Sequence, residues 1–584
     1  MIPIYALFHL NLAYSSIPVD ERKTVIDRCY SPLLDLLFEH EIYAGIEMSG
    51  WTLQQISVLA PEWLVRFKSL LQAGRCELIG SGYAQIIGPL IPYEVNVWNQ
   101  RIGLEDYQNM LGIRPRLILV NELAYSSGLV GIYREAGYEG MLMDRDNVAL
   151  ALSLTNNDDA MPVYADSGDG EGLPVLWIDS ILFQTFQRYA HGDIGMSDYL
   201  HYFKSRINEG DGPFAIYGND AEIFDYRPGR FKEESELDKN NGEWHRIHQL
   251  VSRLKEQKEV VWRTPSDALR EFGNRHSSRA VTLTSARQPI PVKKQAKYNI
   301  SRWAITGRDD LWINTLCHQI YRQIRLVANN TKHEKWRGLC RLWASDLRTH
   351  VTSSRWNEAL GYADDLLQQL NVRDFTPNQE NFSLPLPHDN NRDHMNNCHI
   401  HVDPESIYIT VETSNVIITL NKRRGLAIHS LGFKQHDFSP LIGTLPLGYF
   451  SSIDLGADFY SGGVIIERVK EHSRTTDLTR VVPDIIQQED QCIIRCVIDT
   501  DDGDIVKTIC ISKISQSITI HYNFPSWRRP YGSVRVGNFT FLPKNFSRPL
   551  YFLCRNGGRD NEEFKLDADT FHTNPASSLV SASG

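Results

Sequence analysis

No uninterrupted apolar stretch of the 584-residue chain approaches the length that spans a bilayer, so no membrane-crossing helix is expected. Runs of lysine or arginine long enough to track a nucleic-acid backbone are missing too. With 61 basic against 71 acidic side chains the net charge is -10, and a phosphate-rich partner is not expected. The nine cysteines are scattered and hold no CxxC pair, which argues against a disulfide framework or a structural zinc site. The opening segment, Met1-Ile-Pro-Ile-Tyr-Ala-Leu-Phe8, is apolar but lacks the basic flank and small-residue cleavage site of a signal peptide. It reads as a first strand, and the chain is expected in the cytoplasm. A neutral ligand suits this charge balance, and the oligomeric state is not legible.

Residues 1–275 alternate strand and helix signals, the mark of a parallel sheet or barrel. Strands are expected at Ile2–Phe8, Cys76–Ile79, Leu117–Val120, in a short run ending at Met143, at Pro213–Tyr217 and at Glu259–Trp262. A helix from Pro61 has proline at its start and Gly74 beyond its end, and another runs from Tyr93 to Leu111 and stops at Gly112. Thr264-Pro265-Ser266-Asp267 reads as a capped helix start. Residues 276–300 lack periodicity and read as a linker. Over 301–375 the pattern turns helical: Trp312, Leu316, Ile320 and Ile324 recur every fourth residue, and stretches near 334–350 and 355–370 complete a small bundle. A second linker, 376–397, is rich in Asn, Pro and Asp. From 398 to 584 short β-branched runs suggest a β-sandwich-like domain, with Ile493–Asp499 pairing Ile505–Ile511 across Asp502-Gly503. Its last residues, Leu579 to Gly584, read as the start of another strand, so the domain is expected to be truncated.

Polar groups of the first segment fall at strand ends, where α/β barrels place their chemistry. Glu122 follows the apolar run Leu117–Val120, Asp220 and Glu222 follow Pro213–Tyr217, and His9 follows the first strand. Glu77 lies within the third strand's segment. Side chains at strand ends converge on one mouth even when about a hundred residues separate them. A carboxylate pair is the minimum apparatus for breaking a glycosidic bond, one acting as nucleophile and one as protonated acid. Glu122 and Asp220 suit those roles, and Glu77 would hold sugar hydroxyls. On position alone, each acid could equally cap the helix that follows it.

In order and context these segments resemble glycoside hydrolase family 57, over roughly the first 370 residues. The carriers are Phe8-His9-Leu10-Asn11; Gly74-Arg-Cys-Glu77-Leu-Ile-Gly-Ser-Gly-Tyr83 with Pro89-Leu-Ile-Pro92; Leu119-Val-Asn-Glu122; Asn219-Asp220-Ala-Glu222-Ile-Phe224; and Leu342-Trp-Ala-Ser-Asp346-Leu-Arg-Thr-His350. The resemblance implies an incomplete (β/α)7 barrel, a helical bundle that leans over it and a C-terminal β domain. It implies a retaining mechanism with Glu122 as nucleophile and Asp220 as acid/base, and an oligosaccharide or polysaccharide substrate held by His9, Asn11, Glu77 and Asp346. No metal or cofactor is expected.

The chain also departs from the family's pattern. His9-Leu10-Asn11 stands where His-Gln-Pro is usual, Leu119 and Asn121 replace a tryptophan and a proline, and Asp225-Tyr226-Arg227 replaces aromatic and histidine residues. Retained acids among changed neighbours imply an α-linked sugar other than α-1,4-glucan. Read singly, several residues have plainer explanations. His9 could be a satisfied core histidine, Glu222 a partner of Arg227 or Arg230, and Asp346 with Arg348 a surface ion pair worth little. His245 and His248, three apart on a helix, lack a third ligand and suit a solvated face; Trp51, Trp177 and Trp244 are as well placed in a core as under a sugar. Two other functions stay open. A metal-dependent mannosidase-like enzyme or polysaccharide deacetylase needs a His/Asp cluster, for which Asn11 is a poor zinc ligand. A non-catalytic carbohydrate-binding protein would have no need of both carboxylates.

Overall fold

The computed structural model describes residues 1–148, 161–168, 171–208, 212–226, 242–273, 281–292, 300, 303–304, 310–326, 332–349, 351–370, 398–402, 405–445, 453–468, 472–526 and 533–566. The expected linker 376–397 and the terminal residues 579–584 lie outside them. The chain divides into two compact units, Met1–Phe375 with Tyr551–Gly584, and Thr376–Leu550.

The first unit is built on one sheet of nine strands: β1 (Ile2–Leu10), β2 (Ala44–Met48), β3 (Cys76–Gly80), β4 (Leu117–Leu119), β5 (Gly140–Asp144), β6 (Val163–Asp166), β7 (Gly172–Ile178), β8 (Phe214–Asp220) and β9 (Val260–Trp262). Their spatial order is β6-β7-β5-β4-β3-β2-β1-β8, with β9 on the first residues of β1. The described pairs are parallel except β6 with β7. This is the expected α/β class, but the sheet is not a closed barrel. It curls until Gly218 of β8 meets Ile178 of β7, so tightly that a Cβ there would lie 2.4 Å from Ile178 Cγ2; no pairing joins these two strands among the described residues.

Side chains alternate along each strand. Ile4, Ala6, Phe8 and Leu10 pack outward under the helices, while Tyr5 and Leu7 point to the enclosed side, with Ile79, Leu117, Leu142, Leu176 and Ala215. Helix Pro265–Gly273 plugs the N-terminal end of this interior with Ala268 and Leu269. Its expected cap is present: Thr264 Oγ1 accepts from Asp267 N at 3.2 Å. His9 and Glu47 continue the inward rows beyond Leu7 and Gly45, and stand opposite each other across β1 and β2.

Helices Asp310–Leu326, Lys332–Leu342 and Ser353–Gln369 form the bundle. Arg337 anchors it to helix Tyr93–Leu111 through two bonds to Asp106, 2.8 and 3.1 Å. Residues 281–292, expected as linker, instead bond to the sheet unit: Val281 N donates to Tyr164 O and Tyr125 N to Pro291 O. The segment from Tyr551 differs from expectation as well, since it groups with the first unit and not with the β domain. Ser126 Oγ donates to Asn556 O at 2.7 Å, and Glu562 Oε1 accepts from Gly128 N at the start of helix Ser127–Glu135. A carboxylate there satisfies an orphan amide and the helix dipole together.

The second unit is antiparallel throughout its described strands. Five strands run from His399–Val402 to Pro440–Gly443, four from Asp484–Gln487 to Ile518–Asn523, and Gly463–Arg468 lies between Ser473–Thr476 and Ser533–Asn538. The expected hairpin is found as Gln491–Ile498 with Ile505–Ser512. One ion pair is fully buried: Lys507 Nζ meets Asp477 Oδ2 at 2.9 Å and donates to Gly425 O at 2.8 Å. Among the described residues no helix is long and apolar enough to cross a membrane.

Helix Tyr93–Leu111 approaches the loop after β3 where two glycines meet. A Cβ on Gly103 would sit 2.3 Å from Gly82 C and 2.7 Å from its Cα and O, backbone atoms that cannot swing aside. Gly103→Ala is therefore expected to lower the unfolding free energy by about 1–3 kcal/mol, measured by urea denaturation.

Candidate active site

Register brings the strand ends level: His9 pairs in sequence position with Glu47 on one side and Asp220 on the other. His9 Nδ1 meets the carboxylate of Glu47, which is fully buried, and Gln85 Nε2 lies 2.8 Å from His9 Nε2. Burial alone would lower the imidazole; Glu47 beside it, with Asp220 and Glu222 further out, lifts it to about 10. His9 is thus an imidazolium at neutral pH. Its Nε2 lies 3.9 Å from Asp220 Oδ1, whose side chain is 49% exposed at the mouth.

Glu222, two residues on, is enclosed. Its Oε1 accepts from Asn11 N at 2.5 Å and from the Tyr30 hydroxyl. Burial and then Asp220 push this carboxyl up to about 7 against the pull of His9. Arg227 and Arg230, its expected partners, lie outside the described residues. Asn11 also spans the gap between sheet and bundle, its Nδ2 2.9 Å from Asp346 Oδ1 and 3.5 Å from Gln85 Oε1.

Asp346 lies on the short turn Ser345–Leu347 and is only 5% exposed. It is no surface ion pair: Arg348, equally buried, turns away to Asn314 Oδ1 and to the carbonyls of Leu342 and Ala344. Burial, opposed by Asn11 and reinforced by Glu122, pushes Asp346 up to about 7. Its Oδ2 is buried with no protein partner. Ser345 Oγ donates to Glu122 Oε1 at 2.7 Å, and Ser345 N to Gln85 O at 2.7 Å.

Glu122 follows β4 in a turn whose backbone is left-handed at both Glu122 and Leu123, φ 52°. Such conformations cost about 1–3 kcal/mol each in non-glycine residues and cluster at functional sites. The turn is held by reciprocal bonds between Asn121 and Ser81, each at 2.9 Å, and by Asn147 Nδ2 on Leu123 O at 2.8 Å.

Of the six expected site residues, His9, Asn11, Glu122, Asp220 and Asp346 fall in this network and Glu77 does not. Glu77 sits two residues before Ile79, toward the plugged end of the sheet, where it accepts from Ser266 N at 2.9 Å and from the Ser266 hydroxyl. It caps the plugging helix. Glu47, which the sequence left open, joins this network, as do Gln85 and Ser345, which were not singled out. Glu47 had one signal, a lone acid inside Gly45-Ile-Glu-Met; the two loop residues had none. Trp177 and Trp244 are core residues, whereas Trp51 lines a pocket with Gln85, Asp346, Arg341 and Tyr362 beside the mouth.

Residues 8–283 match the family model described as Glycosyl hydrolase family 57. An alpha-amylase of Pyrococcus horikoshii is 27% identical over 208 residues, 35% of this chain and 32% of the relative. A 4-alpha-glucanotransferase of Thermococcus litoralis is 27% identical over 207 residues, 35% of this chain and 30% of the relative. The matches therefore span about a third of these relatives' own length. The crystal structure of an alpha-mannosidase from Enterococcus faecalis aligns with a TM-score of 0.54 at 10% identity, covering 98% of this chain and 79% of the other. That likeness is one of fold.

The raised Glu222 has a consequence for stability. A carboxyl whose folded value exceeds its unfolded one binds more protons when folded, so folding stability falls as pH rises between about 4.5 and 7. Glu222→Gln keeps the acceptor for Asn11 N and removes the charge. Its thermal midpoint, relative to the parent chain, is expected to be higher at pH 8 than at pH 5.

Proposed function

We propose that the chain is a retaining glycosidase or transglycosylase that acts on an α-linked oligosaccharide or polysaccharide by double displacement, within an incomplete (β/α)7 barrel. The observation that carries this reading is the meeting of acids at one mouth: Ser345 Oγ donates to Glu122 Oε1 at 2.7 Å, the adjacent Asp346 accepts from Asn11 Nδ2 at 2.9 Å, and His9 Nε2 lies 3.9 Å from Asp220 Oδ1. Nothing in packing alone requires polar groups from the ends of β1, β4 and β8 and from the bundle to meet at one mouth. The family match and the alpha-amylase and 4-alpha-glucanotransferase relatives support the same class.

In this reading Glu122 attacks the anomeric carbon and forms the glycosyl-enzyme. Asp220, the last residue of β8 and exposed where Glu222 is buried, protonates the departing oxygen and later draws a proton from water or an acceptor sugar. Ser345 aims Glu122. The imidazolium of His9, fixed by Glu47, supplies positive charge beside Asp220 and a wall of the sugar site. Asp346, with its unpartnered Oδ2, takes a sugar hydroxyl and fills a role that Glu77 is too far away to serve. Asn11, spent on Asp346 and Gln85, presents a different surface from the His-Gln-Pro pattern, which supports a sugar other than α-1,4-glucan.

The donor set does not suit a metal. His9 Nδ1 is taken by Glu47, an imidazolium offers no lone pair, and the Asn11 amide oxygen accepts from Ala13 N at 2.9 Å. That argues against the mannosidase-like and deacetylase readings at this mouth.

Glu122→Gln is expected to cut turnover by about 10³-fold or more while leaving the fold intact, since an amide cannot act as the nucleophile. Turnover within a few-fold of the parent chain, about 3-fold, would overturn the assignment. Asp220→Asn should slow substrates with poor leaving groups far more than activated ones; equal losses would pass the acid role to Glu222. First-formed product, followed by NMR, should keep the substrate's anomeric configuration.

A further inference from the structure

Helix Ser31–His40 ends just before β2 begins, at the end of the sheet opposite the mouth. There His40 meets His248 of helix Glu243–Lys255: His40 Nε2 lies 3.0 Å from His248 Nδ1, and the rings stand edge to face at 63°. Glu39 Oε2 lies 3.4 Å from the same His248 nitrogen, and the three atoms fall within 4.8 Å of one another. The third ligand that His248 lacks on its own helix comes from another. His245, the expected pair partner, points instead to Gln249.

These spacings match a cation's requirements. Zinc binds imidazole nitrogen and carboxylate oxygen at about 2.0–2.2 Å in a tetrahedron, which puts neighbouring ligand atoms about 3.3–3.5 Å apart. The Glu39–His248 edge, 3.4 Å, falls in that range, and the His40–His248 edge, 3.0 Å, lies just below it. The other nitrogen of His40 is also provided for, with Ser252 Oγ 3.4 Å from Nδ1. A partner of this kind fixes the tautomer that leaves Nε2 as the ligand.

We propose that Glu39, His40 and His248 form a site for a zinc-class divalent cation, with the fourth position taken by water, that clamps helix Ser31–His40 to helix Glu243–Lys255. Without the cation, His40 and His248 share one hydrogen bond. On binding, the His40 proton resides on Nδ1 facing Ser252, and both lone pairs turn to the metal. The N-terminal end of a barrel serves stability and not turnover, so the cation acts on the fold and leaves the chemistry at the mouth alone.

The test uses the full chain, stripped with chelator and titrated with zinc chloride by calorimetry and thermal melting. One equivalent should bind and raise the midpoint. His40→Gln and His248→Gln should each weaken binding by about tenfold or more and abolish the midpoint shift, while His245→Gln leaves both unchanged. Cobalt in the same site should give tetrahedral d–d bands without a thiolate charge-transfer band, which separates it from the nine cysteines. Circular dichroism of the metal-free variants checks that they fold. Zinc affinity unchanged in both histidine variants, no zinc binding by the parent chain, or a thiolate band would overturn the proposal. Chelated and zinc-loaded parent chain should turn over substrate equally; that comparison stands apart from whether Glu122 is the nucleophile.

Discussion

The pairing of His9 with Glu47 is the constraint beneath the rest of the mouth. Glu47 has no contact with solvent, and a buried carboxylate left alone is untenable; removing one partner of such a pair costs about 3–5 kcal/mol. Since β1 and β2 set the two residues level, the imidazole has to carry a proton. The resulting positive charge lies within reach of Asp220, Glu222 and Asp346, and it pulls down the carboxyls of Glu222 and Asp346 that burial pushes up. One inward acid on a neighbouring strand thus sets the electrostatics of three others.

The sheet alone does not finish the site. Glu122 projects from a left-handed turn whose conformation is unfavourable for both of its residues. Asn121 and Asn147 hold the backbone, but the side chain is aimed by Ser345, and Ser345 is held by Gln85 from the loop after β3. That loop is in turn fixed by the close contact of Gly82 with Gly103. The bundle, this loop and the strand end therefore position one another. Asn121, a departure from the family's proline, is at the centre of this arrangement, because its side chain makes the reciprocal bonds to Ser81 that a proline could not make.

Much of this was legible in the sequence, for stated physical reasons. Helix Tyr93–Leu111 ends at a glycine with φ 74°, and the Thr264 cap is where the Thr-Pro-Ser-Asp run placed it. Short apolar runs bounded by polar pairs located β4 and β8, and with them Glu122 and Asp220. Glu77 shows the limit. A strand advances about 3.3 Å per residue, so an acid two positions before the row of Glu47 lies about 7 Å nearer the other end. Sequence gives the strand but not the level. β2 was missed because its inward face carries a charge where a buried strand reads apolar. Arg348 and Asp346 looked like surface groups because burial by a distant segment leaves no local mark, and residues 281–292 looked like a linker because their bonds run to β6 and to the loop after β4.

The two acids at the end of β8 show how environment divides one chemistry. Asp220 and Glu222 differ by two residues and one methylene, yet only Asp220 faces the mouth with half its surface open. Glu222 is spent on Asn11 N and the Tyr30 hydroxyl, and its charge is opposed by Asp220 and by burial. Near neutral pH it is divided between protonated and ionised forms, and so works as a local buffer of charge. This arrangement needs Asn11 where it is: its backbone amide holds Glu222 while its side chain holds Asp346, so one residue beyond the end of β1 ties the β8 side of the mouth to the bundle that aims Glu122.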